Sequence, residues 1–519
     1  MRLYCTRYFK KGIAWMVGCS LGLLLTMCND FGSLNENPNA PNSVPAYMLM
    51  SGTQKFIMDR ITCMDEAPRA FLLYAQHFSE TAYTEHSCYQ QKNDLINDYF
   101  INAYAALANL NKIIELNSQK ETAAAQAKYG ANCNQIAAAM TLRAWLMSLM
   151  TDAWGDLPYS EALKLEEGIY YTRYDTQQSI YAQLLKELKE ASDMFDVSQE
   201  AFVSGSDQIY DGDAVKWKRF ANSLRCRLAV HLSKVDSHWR DYIEEAVNDG
   251  VFESSADNAY YQFSESGTEY CGFYASFFIR SRSDFNITHA MVELMKSLDD
   301  PRLPIFATSN QGVIRGMPYG LPSDVASVYF ENCTNWQKNP PFFLSKDFAY
   351  PIMTYSELMF ILCEAHNYNV EEFREGVRYS IRRWAVQSLT NVTEEDALGY
   401  VDRVSVRVDA EAVAVQKYID LYLNGMEAWT EVRRTGYPEQ LVRPGEITAT
   451  VNGKEYTFQP LTDSKRDIIR RIKYPDTEST LNYEYWKEAV DRLQDKTNNI
   501  YSPMYWDLRT SPYDHPENL

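Results

Sequence analysis

The chain is short of the side chains from which catalytic and metal centres are usually built. Seven histidines occur in 519 residues, none at a zinc-type spacing, and no Cys-x-x-Cys appears among the ten cysteines. No metal is therefore assigned. No Walker loop, His-Glu-x-x-His or phosphate-cradling Gly-rich unit is present, so the usual nucleotide and metalloprotease signatures are missing. The 69 carboxylates would place some pair at a glycosidase separation in any fold, so such a pair carries no argument for hydrolysis. No enzymatic activity and no cofactor are assigned. Positive charge is the minority: 50 Lys and Arg against 69 Asp and Glu give a net charge of −19. Phosphate affinity needs clustered cations, so nucleic acid is not a partner.

What is abundant is aromatic. The sequence holds 37 Tyr, 23 Phe and 10 Trp, or 13% of all residues. Tyr and Trp join a flat apolar face to a polar tip, which suits stacking on sugars, filling interfaces or packing a helical core.

The first thirty residues point to export. Arg2, Arg7, Lys10 and Lys11 precede an apolar run from Gly12 to Met27 that is too short to span a bilayer, the order of a secretory signal. The run ends in Leu25-Thr26-Met27-Cys28, which resembles a bacterial lipobox with Cys28 as the lipidated residue. Cleavage at Cys19 instead would leave Leu21–Leu25 as an apolar stub. Residues 1–27 are thus assigned to the signal, 28–43 to a tether and 44–519 to one helical domain. Loss of four cations makes the mature charge 46 − 69 = −23. Gly18-Cys19-Ser20-Leu21-Gly22 fits the nucleophile-elbow pattern but falls in the discarded signal. Seven cysteines then remain. Cys133, Cys226 and Cys363 read as buried helix thiols, and Cys63, Cys88, Cys271 and Cys333 as thiols able to pair.

The dominant period along the chain is helical. Ile180, Leu184, Leu188 and Ala191 recur behind Asp175 as cap; Trp217, Phe220, Leu224, Leu228 and His231 form a second stripe, and Tyr355, Leu358, Met359, Leu362 and His366 a third. Arg143 is set within the stripe Ile136, Met140, Met147 and Met150, where an ion pair is expected. Asp213 reads as a helix N-cap, Gly155 and Pro158 as a helix stop, and Arg433 and Arg434 as anchors for helix ends or acidic neighbours. The spacing predicts helices near 68–80, and pairs of 90–118 with 131–152, 175–196 with 214–235, 353–368 with 371–388, and 409–424 with 426–434. Such pairs resemble tetratricopeptide units stacked into a solenoid. Residues 252–285 and 305–350 break the pattern, and Asn452-Gly453 marks a two-residue hairpin turn.

Seven separated motifs occur in an order that resembles one family. Leu34-Asn35-Glu36-Asn37-Pro38-Asn39 opens the mature chain, and Leu142-Arg143-Ala144-Trp145 leads to Gly155-Asp156-Leu157-Pro158-Tyr159. Asp211-Gly212-Asp213 precedes Trp217-Lys218-Arg219-Phe220, and Asp300-Pro301-Arg302 precedes Pro351-Ile352-Met353-Thr354-Tyr355. Glu427-Ala428-Trp429 runs into Arg433-Arg434-Thr435-Gly436, and Arg471-Ile472-Lys473-Tyr474-Pro475 follows, with Lys473 in place of a usual Pro. The chain resembles the SusD/RagB-like lipoproteins of Bacteroidetes. That resemblance implies an all-α, predominantly helical fold, with tetratricopeptide-like pairs in a right-handed solenoid carrying loop insertions and minor hairpins. It also implies a surface-facing outer-membrane lipoprotein, held by lipid alone, that captures oligosaccharide and delivers it to a SusC-like TonB-dependent β-barrel transporter. A peptide ligand, or a scaffold that binds only the transporter, is the alternative within the same fold.

No ligand residue carries over from the family, so the site is sought where irregular segments meet aromatics. Trp336, between Asn335 and Gln337, is the first candidate for a stacking platform. Tyr83, His86 and Tyr89 follow the predicted 68–80 helix. Tyr270, Phe273, Tyr274 and Arg282 lie in the first irregular segment, and Tyr319 and Tyr329 in the second.

Overall fold

Helix packing on helix accounts for nearly all of the architecture. In the computed structural model the described residues are 44–64 and 69–518. The signal, the tether, Cys28, the lipobox and the opening Asn-Pro-Asn motif lie outside them. Among the described residues, nineteen α-helices stand against four two-stranded sheets, and Ala46–Leu519 forms one compact unit.

The elements used below are α1 (Ala46–Ile61), α2 (Arg69–Tyr74), β1 (Phe78–Glu80), α3 (Asn93–Ser118), α4 (Asn132–Trp154), α5 (Gln177–Met194), α6 (Ala214–His231), α7 (Trp239–Asp249), α8 (Tyr355–Ala365), α9 (Val370–Ser388), α10 (Glu394–Val404), α11 (Ala410–Asp420) and α12 (Gly425–Thr435). Neighbours in sequence pack on each other, α3 on α4, α4 on α5, α5 on α6, α6 on α7, α8 on α9, and α11 on α12. These include all four predicted pairs. The pattern follows from apolar stripes that no single helix can bury alone.

Local chemistry sets the ends. The Asp213 carboxylate accepts from the amides of Val215 and Lys216, capping α6 as expected. α5 is capped instead by Thr176, whose hydroxyl accepts from Ser179. Asp175 sits one residue earlier in a strand, where its carboxylate accepts from the amides of Tyr159 and Ser160 (3.1 and 2.6 Å). The predicted 68–80 helix ends at Tyr74 because the chain then enters β1, which pairs antiparallel with Phe285–Ile287. The Asn452-Gly453 turn joins Ile447–Val451 to Lys454–Thr457, with both residues left-handed (φ 51° and 78°).

A buried charge network ties the helix pairs together. Arg227 grips Glu357 with two hydrogen bonds of 2.6 Å. His231 lies 2.9 Å from both the Tyr181 hydroxyl and a Glu427 oxygen. Lys417 meets Glu431 at 3.2 Å, and Arg434 holds Glu364 (2.6 and 2.7 Å) and Glu431 (2.8 and 3.0 Å). Ligand atoms of His231, Glu427 and Glu431 lie within 4.8 Å of one another, but Arg227, Lys417 and Arg434 already supply the countercharge. Arg433 donates to the carbonyls of Asp152 and Arg470 (2.7 and 2.9 Å), closing the C-terminal end of α4. Burial alone raises the carboxyls of Glu427, Glu431 and Glu364, yet the adjoining cations outweigh it and hold all three below the usual range. Arg143 reaches Glu187 at 3.0 Å from a partly exposed position, and His366 is half-buried between Glu372 and Glu244 rather than in the core. Cys88, Cys271 and Cys333 form no disulfide, and Cys133 is only half-buried.

Candidate functional site

The strand pair of β1 with Phe285–Ile287 draws the irregular segments to one edge of the body. Glu80 sits opposite Phe285, and the pairing extends through Thr81, whose amide donates to the Asp284 carbonyl at 2.8 Å. Residues 318–327 join the same edge. Ser79 Oγ donates to the Pro318 carbonyl (2.9 Å), the Tyr83 amide donates to Ser323 Oγ (2.9 Å), and Ser327 Oγ donates to the Thr81 carbonyl (3.3 Å). Gln337 closes the ring by donating its side-chain amide to Ser283 Oγ.

The segment 270–282 crosses this edge as a tight turn of helix. Gly272 starts it: a Cβ there would fall 2.5 Å from Thr62 Oγ1, so only glycine lets the chain approach α1 so closely. A π-helical turn follows over Ala275–Ile279, and the Arg282 amide donates back to the Ser276 carbonyl at 2.8 Å. Single π turns recur where a side chain must be re-aimed. Here they line up three rings on one face. Tyr270 and Tyr274 lie 5.8 Å apart between centroids, and Tyr274 and Phe278 5.2 Å apart. Phe278 is 45% exposed, Tyr270 and Tyr274 are half-buried, and the Lys346 ammonium stands 5.5 Å over the Tyr274 ring.

Polar groups lie along the strand edge. Arg282 pairs bidentately with Asp284 (3.0 and 2.8 Å). Tyr83 is 68% exposed and held left-handed at φ 54°, a conformation that costs a non-glycine residue energy. Partly exposed rings on the 270–282 turn, and a guanidinium, carboxylate and hydroxyls along the strand edge, are the two kinds of group a sugar uses: a C–H face on an aromatic face, and hydroxyls on fixed polar atoms.

The sequence candidates divide sharply. Tyr83 and Arg282 lie along the strand edge, Tyr270 and Tyr274 on the 270–282 turn that leads into it, and half-buried Tyr329 packs against the Cys333 side of the second segment. Trp336 does not form a platform. It is 2% exposed, its ring wedged between Phe78 (5.0 Å) and Phe343 (5.3 Å) with Phe277 behind (6.5 Å). A ring buried this deeply among other rings has no face to offer a ligand. Tyr89 and Tyr319 are likewise internal, each edge-on to Phe458, and burial pushes both phenols well above their ordinary range. His86 is 3% exposed beside the Glu80 carboxylate (3.6 Å), and Phe273 is buried against Phe343 and Phe348. The aromatics of 252–285 and 305–350, where the site was sought, mostly pack the core. Phe278 was missed, although Tyr270, Tyr274 and Phe278 stand at i, i+4, i+8, a helical face legible in the sequence.

The family described as "starch-binding associating with outer membrane", SusD-like, matches residues 38–475. Solved structures share the fold. One is named a chitin-binding protein (23% identity, 89% of this chain and 100% of that one, TM-score 0.74). Others are a Bacteroidetes SusD-like protein (22%, 90% and 100%, TM-score 0.71) and a SusD homologue from Parabacteroides distasonis (22%, 89% and 98%, TM-score 0.71). No curated protein matches. No helix among the described residues is long and apolar enough to cross a membrane.

Proposed function

The chain belongs to the SusD-like family of starch-binding proteins associating with the outer membrane, and from that membership we propose that it is a cell-surface glycan-binding lipoprotein. Oligosaccharide lies across the Tyr270–Tyr274–Phe278 face, stacked on rings whose relative tilt follows a curved chain. Tyr83 and the Arg282–Asp284 pair meet its hydroxyls. Cys28 carries the lipid, and the body starting at residue 44 passes its ligand to a TonB-dependent β-barrel transporter. The observation that carries this reading is the three-ring ladder, two rings half-buried and Phe278 exposed, on the turn that leads into the strand pairing. The starch of the family description and the chitin of the similar structure name the first ligands to try.

Calorimetry with maltoheptaose and chitohexaose tests it. Tyr274→Ala and Phe278→Ala are expected to weaken binding by about 0.5–1.5 kcal/mol each, twofold to tenfold, as for other aromatic face contacts. Wild-type binding that neither substitution changes would remove the ladder from the site. Extended peptides bound in place of both sugars would replace the glycan reading. Labelled-lipid incorporation lost in Cys28→Ala and kept in Cys19→Ala is the expected outcome for the anchor.

A further inference from the structure

A cation stands over the ladder. Lys346 Nζ lies 5.5 Å from the centre of the Tyr274 ring, the middle of the three. The Lys346 carbonyl accepts from the Cys271 amide at 2.8 Å, so the backbone is pinned where the 270–282 turn begins and the side chain reaches over the rings. Lysine and ring are both half-buried. Other cations close by in the fold have countercharges: Arg282 grips Asp284 and Lys55 meets Asp59. Lys346 has none. Among the described residues its ammonium pairs with no carboxylate and donates no hydrogen bond. Glu269, just before the ladder, and Asp347, just after the lysine, are exposed and do not pair with it.

An unpaired ammonium at this place bears on what the rings can take. The ring quadrupole attracts the cation but supplies no countercharge. A sugar laid on the Tyr274 face strips water from the half-buried ammonium, and an ion that loses water without gaining a counterion is costly to cover. A neutral hydroxyl makes good part of that loss. A carboxylate or sulfate on the sugar makes the stronger, charge-assisted bond and cancels the charge as well. The net charge of −19 does not forbid an anion here. At physiological ionic strength charges beyond about 8 Å are largely screened, so the group in contact decides.

Resting on the glycan reading above, we propose that the ladder takes an acidic oligosaccharide, whose carboxylate or sulfate pairs with Lys346 Nζ beside Tyr274. Lys346 then sets the preference for charge, while the rings supply the stacking. Purified protein is titrated by calorimetry with neutral maltoheptaose and chitohexaose, with hexagalacturonate for carboxylate and with a κ-carrageenan hexasaccharide for sulfate. Lys346→Met keeps an aliphatic stem over Tyr274 and leaves the carbonyl bond to Cys271 in place, so it removes the charge alone. It should weaken the acidic sugar about three- to tenfold and shift neutral sugars less than about twofold. Lys346→Arg should recover most of the loss. The acidic sugar that responds tells carboxylate from sulfate. Wild-type protein that binds a neutral sugar and neither acidic one overturns the preference and leaves the ladder a neutral-glycan site. So does acidic-sugar binding that Lys346→Met leaves unchanged, or a loss of equal size for neutral and acidic sugars. No sugar bound at all overturns the preference and the glycan reading together, and hexaglutamate bound in their place puts an acidic peptide on the ladder.

Discussion

Trp336→Ala separates packing from recognition at the position where the two readings differ most. The ring is 2% exposed and touches three other aromatic rings, at centroid distances of 5.0, 5.3 and 6.5 Å. Truncating a tryptophan in such a place costs about 3–5 kcal/mol, the lost transfer energy plus the cavity left behind. Unfolding entropy near ~2.1 cal/mol/K per residue makes ~1 kcal/mol/K for a unit of ~470 residues. The expected fall in Tm is therefore about 3–5 °C, if the unit melts cooperatively. The indole Nε1 is buried without a partner, so Trp336→Phe removes no hydrogen bond and should cost clearly less. Thermal melts and urea titrations read stability, and calorimetry with maltoheptaose or chitohexaose reads affinity. Both variants should keep wild-type affinity while folded. A Trp336→Ala protein with unchanged Tm and abolished sugar binding would refute the reasoning and restore the ring as a platform.

Three further outcomes follow from the interior. Arg434→Met leaves Glu364 and Glu431 buried with one counterion fewer, and should lower stability by about 3–5 kcal/mol in denaturant titration; a change under 1 kcal/mol would mean the network relaxes around the gap. Because Glu364, Glu427 and Glu431 are held below the ordinary carboxyl range, their contribution is complete above the unfolded value near ~4.3 and drains away as pH falls through the folded ones. Melting temperature should thus drop steeply below about pH 4, and a Tm independent of pH down to 2 would count against the network's role. Asp213→Ala removes the cap of α6 and should cost about 1 kcal/mol, with Asp213→Asn recovering most of it.

The helices were legible because their cause is local. Apolar spacing in 180–191 and 217–231, the Asp213 cap and the Asn452-Gly453 turn act within a few residues, and each reappears in place. Asp175 misled by one position because Thr176 offers equivalent capping chemistry, and the aspartate had a competing use at Tyr159 and Ser160. The 68–80 helix was cut short by a partner two hundred residues away, Phe285–Ile287, which no local period reveals. The ladder Tyr270–Tyr274–Phe278 carried a helical spacing inside a stretch rich in Gly and Ser, so its signal was present but masked.

From sequence alone came the helical class, the charge balance and the order of family motifs, since composition and short-range period encode them. Which aromatics face solvent was decided only by tertiary structure. Tyr83 and Trp336 are equally conspicuous in the sequence, yet one is 68% exposed and the other 2%. The difference lies in what packs over each: Phe78 and Phe277 reach Trp336 from distant parts of the chain and join nearby Phe343, and exposure is a property of that convergence, not of the residue.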